Sequence, residues 1–223
     1  HTRLQGDWSS DVCSSDLLLL HPGVYRSVVW LDVRLGILFV FSLPLVLLIW
    51  SAWRREPALL RLMDVYWKAA SLYLIALLLL ADNRPAGFLV LLAAPLVTVL
   101  SLWFWVDLNE ELGDMPPWRA LPLTLRIWRW ALTFLALPSM ALAAASLRCA
   151  GGSASPTACQ VWLEAPSAIH AQLSQVLGFV FGGSWTAGVA AFVGYVALVA
   201  YVVGILQWLI VRLPRQGRVA GGF

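Results

Sequence analysis

Long uncharged apolar runs dominate the chain, and short segments between them carry almost all of its charges. The run at 35–53 is nineteen residues without a charge, and at about 1.5 Å per residue such a helix nearly crosses a ~30 Å hydrocarbon core. The pattern predicts an all-α polytopic membrane protein with about five transmembrane helices, at 35–53, 65–81, 87–106, 130–147 and 187–211.

Two stretches do not fit a span. Residues 18–30 are short and are interrupted by His21, Pro22 and Gly23, so we expect them to lie along the membrane interface. We expect the segment 148–186 to be the longest loop, with a surface helix near its end. In the last span, the pairs Ala190/Gly194 and Ala200/Gly204 have the small-xxx-small spacing that lets helices approach closely.

Composition agrees with a membrane protein and leaves little chain for a soluble domain. The chain is 61% hydrophobic and 12% charged, and it contains 13 tryptophans. The lipid bilayer is therefore its expected surroundings. We expect no nucleic-acid partner, because no basic cluster with interleaved aromatic residues is present.

The first seventeen residues differ from the rest of the chain. The stretch DWSSDVCSSDL, at 7–17, resembles the translation of a short-read sequencing adapter over eleven consecutive residues. A polar, disordered tail is the alternative interpretation. We treat residues 1–17 as an artefactual or disordered segment and residues 18–223 as a single transmembrane domain.

The placement of the cations predicts the topology. Four cations lie between the first two spans and at the start of the second, three lie between the third and fourth, and three lie in the C-terminal tail, whereas each of the other two connections holds one arginine. Because cytoplasmic loops are enriched in Lys and Arg, we expect the C-terminus in the cytoplasm and the N-terminus outside. The loop at 148–186 is then extracytoplasmic.

That loop contains Cys149 and Cys159, the only cysteines beyond residue 17. A loop on the oxidising side of the membrane favours a disulfide between them. A metal site is the alternative, although neither His170 nor a nearby acid completes a good ligand set.

An acidic stripe marks the end of the third span. Asp107, Glu110, Glu111 and Asp114 have the spacing i, i+3, i+4, i+7, which places them on one helical face. One hypothesis is a docking face with tryptophans as contacts. Another is an internal salt-bridge network with the three arginines of the same connection or with the Arg54/Arg55 cluster. A divalent-metal site is a third. The other residues of this candidate face are Trp103, Trp105, Arg119, Arg126 and Arg129.

No catalytic motif is present, so we expect no enzymatic activity and no cofactor. The chain lacks a nucleophile elbow, a phosphate-binding loop, an HExxH motif and a CxxC motif. Each charge lies at the end of a predicted span, which argues against an ion pump or secondary transporter. The tryptophans at span ends are typical of interface anchors rather than pigment ligands.

Several long motifs resemble one family of membrane proteins. They are SLWFWVDLNEE, CQVWLEAP, WLDVRLGILF, VYWKAASL, WRWALT and VRLPRQGR, spread over the chain after residue 24. In these motifs the chain is similar to the cyanobacterial integral membrane family known as domain of unknown function 3177. The resemblance implies a thylakoid or plasma membrane of a cyanobacterium but no defined activity.

The leading functional hypothesis is a non-catalytic accessory or assembly factor for a larger membrane complex, plausibly a photosynthetic one. Interface-type residues, close-packing motifs and the absence of a buried functional charge in the predicted spans support it. The alternative is a small transporter or channel, which needs a polar path through the membrane.

Overall fold

The computed structural model describes residues 22–116, 118–151 and 156–218, and over these ranges the chain is helical without a strand. The predicted artefactual segment 1–17 lies outside them. Five helices in the described part are long and apolar enough to cross a membrane, which confirms the predicted all-α polytopic fold. The helices are α1 (Pro22–Gly36, a π-helical turn Ile37–Ser42, and Leu43–Arg54), α2 (Pro57–Ala81), α3 (Pro85–Trp103), α4 (Val106–Asp114), α5 (Ala120–Ala150), α6 (Pro156–Phe181) and α7 (Ala187–Gln207, a π-helical turn Trp208–Arg212, and Leu213–Gln216).

Helix α2 lies at the centre of the bundle and packs against α1, α3 and α7. Close backbone approach makes two of these contacts possible. A Cβ added at Gly87 of α3 would lie 2.8 Å from Leu80 Cγ, and one at Gly194 of α7 would lie 3.1 Å from Leu79 Cδ2. The first small-xxx-small pair in α7 is thus buried against α2, whereas Gly204 of the second has open space around it.

The bundle has two chemically different ends. At the arginine-rich end, α1 turns into α2 at Arg55, in a left-handed conformation with φ 55°, and α3 gives way to α4. At the disulfide end, Val29, Leu80, Phe88 and Trp162 form a buried cluster beside Cys149.

Helix α1 begins earlier than the sequence predicts. Residues 22–30, expected at the interface, continue directly into the span, so that α1 runs from Pro22 to Arg54. Pro22 starts this helix instead of breaking it, because the first helical position needs no N–H donor. Val29, only 1% exposed, is buried against the next helices.

The predicted loop at 148–186 also differs. It contains the 26-residue helix α6, which begins just before Cys159 and lies across the disulfide end. The structure forms the Cys149–Cys159 disulfide, as predicted, and this bond joins the end of α5 to the start of α6. Trp162 adds a hydrogen bond from its Nε1 to the Tyr25 hydroxyl, 2.8 Å long.

Glu164 makes the polar part of the contact between α6 and α1. Its Oε2 accepts hydrogen bonds from Trp30 Nε1 at 3.0 Å and from Arg26 Nε at 2.8 Å. These hydrogen bonds, that of Trp30 first, lower the pKa of Glu164 below its ordinary value of 4.5.

The pKa of Glu164 predicts an acid-sensitive α6. A carboxylate with a lowered folded-state pKa contributes stability that is present above the unfolded value and lost as pH falls through the folded value. We therefore expect hydrogen exchange in α6, corrected for intrinsic rates, to rise as pH falls below 4.5. The Glu164→Gln variant should lack this additional rise. Identical pH profiles for the two proteins would contradict the assignment.

Candidate functional site

The predicted acidic stripe does not continue the third span. Helix α3 ends at Trp103, and α4 starts separately at Val106 after the break at Phe104 and Trp105. A break in a helix near a membrane leaves backbone groups that must find other partners. Side chains and backbone from three other parts of the chain supply them.

Three consecutive carbonyl oxygens at this break each accept a hydrogen bond from a side chain. Arg129 Nη2 donates to Leu102 O at 2.6 Å, and Asn109 Nδ2 donates to Trp103 O at 3.0 Å. Arg218 Nε donates to Phe104 O at 2.7 Å, while the Arg218 carbonyl accepts from the N–H of Val106 at 3.1 Å. The break is therefore held by α4, α5 and the C-terminal segment together.

Arg129 is the central donor of this arrangement. It is 5% exposed, and its Nη2 also donates to Asn109 Oδ1 at 2.5 Å. Its guanidinium lies over the Trp103 ring, 4.2 Å from the centroid, in cation–π geometry. Trp103 in turn donates from Nε1 to Thr133 Oγ1 at 3.0 Å. A planar, multi-donor guanidinium suits this site in a way that a lysine ammonium does not.

Arg126 binds the other end of α4. Its Nη2 donates to the carbonyl oxygens of Leu112, Gly113 and Met115 at 2.9, 3.1 and 3.1 Å. A cation at a helix C-terminus also interacts favourably with the helix dipole. Together with the buried side chain of Leu108, this contact fixes α4 against the bundle.

The carboxylates of α4 have different surroundings. Glu111 accepts from Arg61 Nη2 of α2, at 2.7 Å to Oε1, and Asp107 is half-buried and engaged within the structure. Glu110 and Asp114 are exposed, and among the described residues neither makes an ion pair. Arg126 and Arg129 bind carbonyl oxygens, and Glu111 pairs with Arg61 of α2 instead of an arginine of its own connection.

The tryptophans of the predicted face are core residues rather than free contacts. Trp105 is 6% exposed, and its ring packs 5.6 Å from that of Trp208. Trp103 is half-buried between Arg129 and Trp130. Exposed tryptophans at this end are instead Trp53 and Trp118, which are 85% and 80% exposed. Arg119 is exposed beside Trp118.

A second candidate site lies between the helices towards the disulfide end. A cavity of about 110 Å³ is lined by residues of α1, α2, α3, α5 and α6. Asp32 of α1 faces it and accepts a hydrogen bond from Ser139 Oγ of α5. Tyr73 and Thr98 add two more hydroxyl groups to the lining.

The π-helical turn of α1 forms part of the cavity wall through Ile37, Val40 and Phe41. Side chains of two other helices bind its carbonyl groups. The Tyr66 hydroxyl donates to Val40 O at 2.6 Å, and Trp128 Nε1 donates to Phe39 O at 2.9 Å. Such turns are often found at functional sites.

Comparison with protein families decides what this chain is related to. Residues 26–221 match the family described as Protein of unknown function (DUF3177). The chain belongs to this family. The resemblance seen in its motifs is thereby confirmed. No curated protein and no solved structure matches the chain.

Sequence reasoning missed the cavity of this DUF3177 member because it placed Asp32 outside the first span. An early helix start at Pro22 puts the carboxylate within the helix that crosses the membrane. The run 24–34 could have indicated the early start, because it contains no residue that breaks a helix. Asp32 is the only acid in this run. Pro95 and Pro166, which both line the cavity, were also present in the sequence as residues that disturb helices.

The hydrogen bonds at the break after α3 predict how the Arg129→Lys substitution changes stability. The variant loses the multi-donor contact to Leu102 O and Asn109, so we expect the free energy of unfolding to fall by about 1–3 kcal/mol. Hydrogen exchange in 106–114 should rise selectively. Arg119→Lys is the matched control, because Arg119 is exposed, and it should change neither quantity. Equal effects of the two substitutions would contradict the role of Arg129.

Proposed function

We propose that the protein is a non-catalytic accessory or assembly factor of a larger membrane complex. Its contact with the partner is the surface formed by Glu110, Asp114 and the neighbouring Trp118, which we call the acidic docking face. The partner presents a basic segment to this face. The supporting observation is that Glu110 and Asp114 have no cationic partner among the described residues.

The lack of a cationic partner for Glu110 and Asp114 among the described residues is informative because arginines lie close to α4. Arg126 binds carbonyl groups at the C-terminal end of α4, and Arg129 binds Leu102 O of α3 and the Asn109 side chain of α4, so neither pairs with a carboxylate of α4. Like charges on one helical face repel each other, and acids near a helix C-terminus oppose its dipole. A basic partner segment would relieve both effects. The charge pattern therefore favours association with a cationic surface.

The exposed tryptophans strengthen the case for a contact surface at this end. Tryptophan is among the residues that contribute most to binding energy at interfaces. Trp118 follows α4 directly along the chain and is 80% exposed. Tryptophans at a membrane interface also anchor a protein in lipid, so the carboxylates and not the tryptophans provide the decisive test.

The orientation in the membrane is part of the proposal. The positive-inside rule assigns the arginine-rich end of the bundle to the cytoplasm. This end contains Arg54, Arg55, Arg61, Arg119 and Arg218. The disulfide at the opposite end agrees, since disulfides persist in oxidising compartments. The docking face is then cytoplasmic. Resemblance to a cyanobacterial family favours a thylakoid or plasma membrane and a photosynthetic complex as partner.

One observation favours the alternative of a small transporter or channel, namely the cavity beside Asp32. A transport path also needs polar groups from the cavity to both ends of the bundle. Beyond Tyr73 and Thr98, the bundle towards the arginine-rich end is filled by a buried core that includes Leu62, Tyr66 and Leu102. The cavity thus resembles a pocket more than a path, and we rank this alternative second.

Charge reversal tests the docking face. In membranes of the native host, solubilised in mild detergent, the tagged wild-type protein should comigrate with a larger complex on native gels. The double variant Glu110→Lys/Asp114→Lys should accumulate normally and lose this comigration, because both side chains are exposed and unpaired. Glu111→Lys is the structural comparison. It places a second cation beside Arg61, so reduced accumulation is expected.

Two results would overturn the proposal. One is a wild-type protein that migrates only as a monomer or homo-oligomer. The other is a double variant that comigrates with the complex as fully as the wild type does. Zinc or other metal dependence of the complex would point instead to the acids as ligands.

A further inference from the structure

We propose that the cavity beside Asp32 binds a small organic cation, a protonated amine with a short apolar body. Asp32 acts as its counter-ion. This inference does not rest on the acidic docking face, which lies at the other end of the bundle. It is carried by an incompletely satisfied carboxylate, the hydroxyl groups of Tyr73 and Thr98 beside it in the lining, and the shape of the cavity.

The carboxylate of Asp32 lacks a cation from the described part of the chain. Ser139 Oγ supplies one hydrogen bond, whereas a carboxylate has about four acceptor positions. The two arginines of α1 that are nearest to Asp32 in sequence are engaged elsewhere. Arg26 pairs with Glu164, and Arg34 lies 6.0 Å from the Trp30 ring centroid. Acids within membrane helices are normally paired, so a cationic ligand would complete this site.

Thr98 provides the second, independent observation. Its side chain is 1% exposed and lines the cavity, and its hydroxyl group interacts with that of Tyr73, which also lines the cavity. A hydroxyl oxygen can accept two hydrogen bonds. Thr98 can therefore accept a hydrogen bond from a bound ligand as well.

Pro95 leaves a third hydrogen-bond acceptor, a backbone carbonyl group, in the same wall of the cavity. Pro95 has no N–H, so the carbonyl group of Leu91, four residues earlier in α3, loses its usual helical donor. Both residues line the cavity. An ammonium group has three N–H donors and no acceptor, which suits a carboxylate, a hydroxyl oxygen and a free carbonyl group.

The remaining lining determines the class of ligand. Most of it is apolar, including Leu77, Leu132 and Ala136, and Tyr73 and Trp162 add aromatic faces. Small-molecule sites combine such a lining with a few polar groups. A bare Ca²⁺ or Mg²⁺ ion requires about six oxygen ligands, which this lining does not offer. The volume of about 110 Å³ suits a short alkyl chain.

Calorimetric titration of the full chain in nanodiscs of uncharged lipid tests the proposal. The probes are butylammonium and its neutral counterpart 1-butanol, at constant ionic strength. We expect saturable binding of butylammonium and none of 1-butanol. Asp32→Asn should bind butylammonium roughly tenfold or more weakly, since it removes one partner of a buried charge pair. Asp64→Asn, with the same change of charge on an exposed residue outside the cavity lining, should bind like the wild type.

A second variant keeps the test decisive if Asp32→Asn does not fold. Ala136→Leu leaves the carboxylate in place but fills part of the cavity, so binding should weaken in a protein that still elutes as the wild type does. Three outcomes would overturn the proposal. They are no saturable binding by the wild type, equal binding of amine and alcohol, and unchanged binding by a folded Asp32→Asn variant.

Discussion

The structure depends on one constraint, which is that backbone groups freed by an interrupted helix near a membrane must be hydrogen-bonded within the protein. The break after Trp103 frees the carbonyl groups of three consecutive residues. Arg129, Asn109 and Arg218 bind one each. These contacts join the end of α3 to α4, to the middle of α5 and to the C-terminal segment. A local break in one helix thus becomes the junction of four parts of the chain.

This use of arginine explains the electrostatics of the arginine-rich end. Arginines that bind carbonyl groups still carry their charge, but their donors are no longer available to carboxylates. Glu111 obtains a partner from α2, whereas Glu110 and Asp114 do not obtain one within the described residues. The same principle operates in the middle of α3, where Pro95 deprives the carbonyl group of Leu91 of its helical donor. Both residues line the cavity that Asp32 faces.

Hydrophobic patterning predicted the helical membrane fold, because runs of about twenty apolar residues have few other stable states. The disulfide was also predictable, since one pair of cysteines lay in one loop. The break at Phe104 was not, because apolar residues continue through it and two of its three side-chain donors, Arg129 and Arg218, are 27 and 114 residues from their acceptors. Helix α6 was predicted only in part, as a surface helix near the end of the loop, because its position depends on burial of Trp162 against α1 to α3. Of the candidate face, the shared side of the four acids was predictable, but their partners were not.

Double-mutant cycles on Arg129 test the central claim most directly. Apparent free energies of unfolding in detergent would be measured for Arg129→Lys combined with Asn109→Ala and, separately, with Glu110→Gln. Residues that share a hydrogen-bond network couple by about 0.5–3 kcal/mol, whereas independent sites add to within about 0.5 kcal/mol. The account predicts clear coupling of Arg129 to Asn109 and none to Glu110. Coupling to Glu110 as large as that to Asn109 would contradict it.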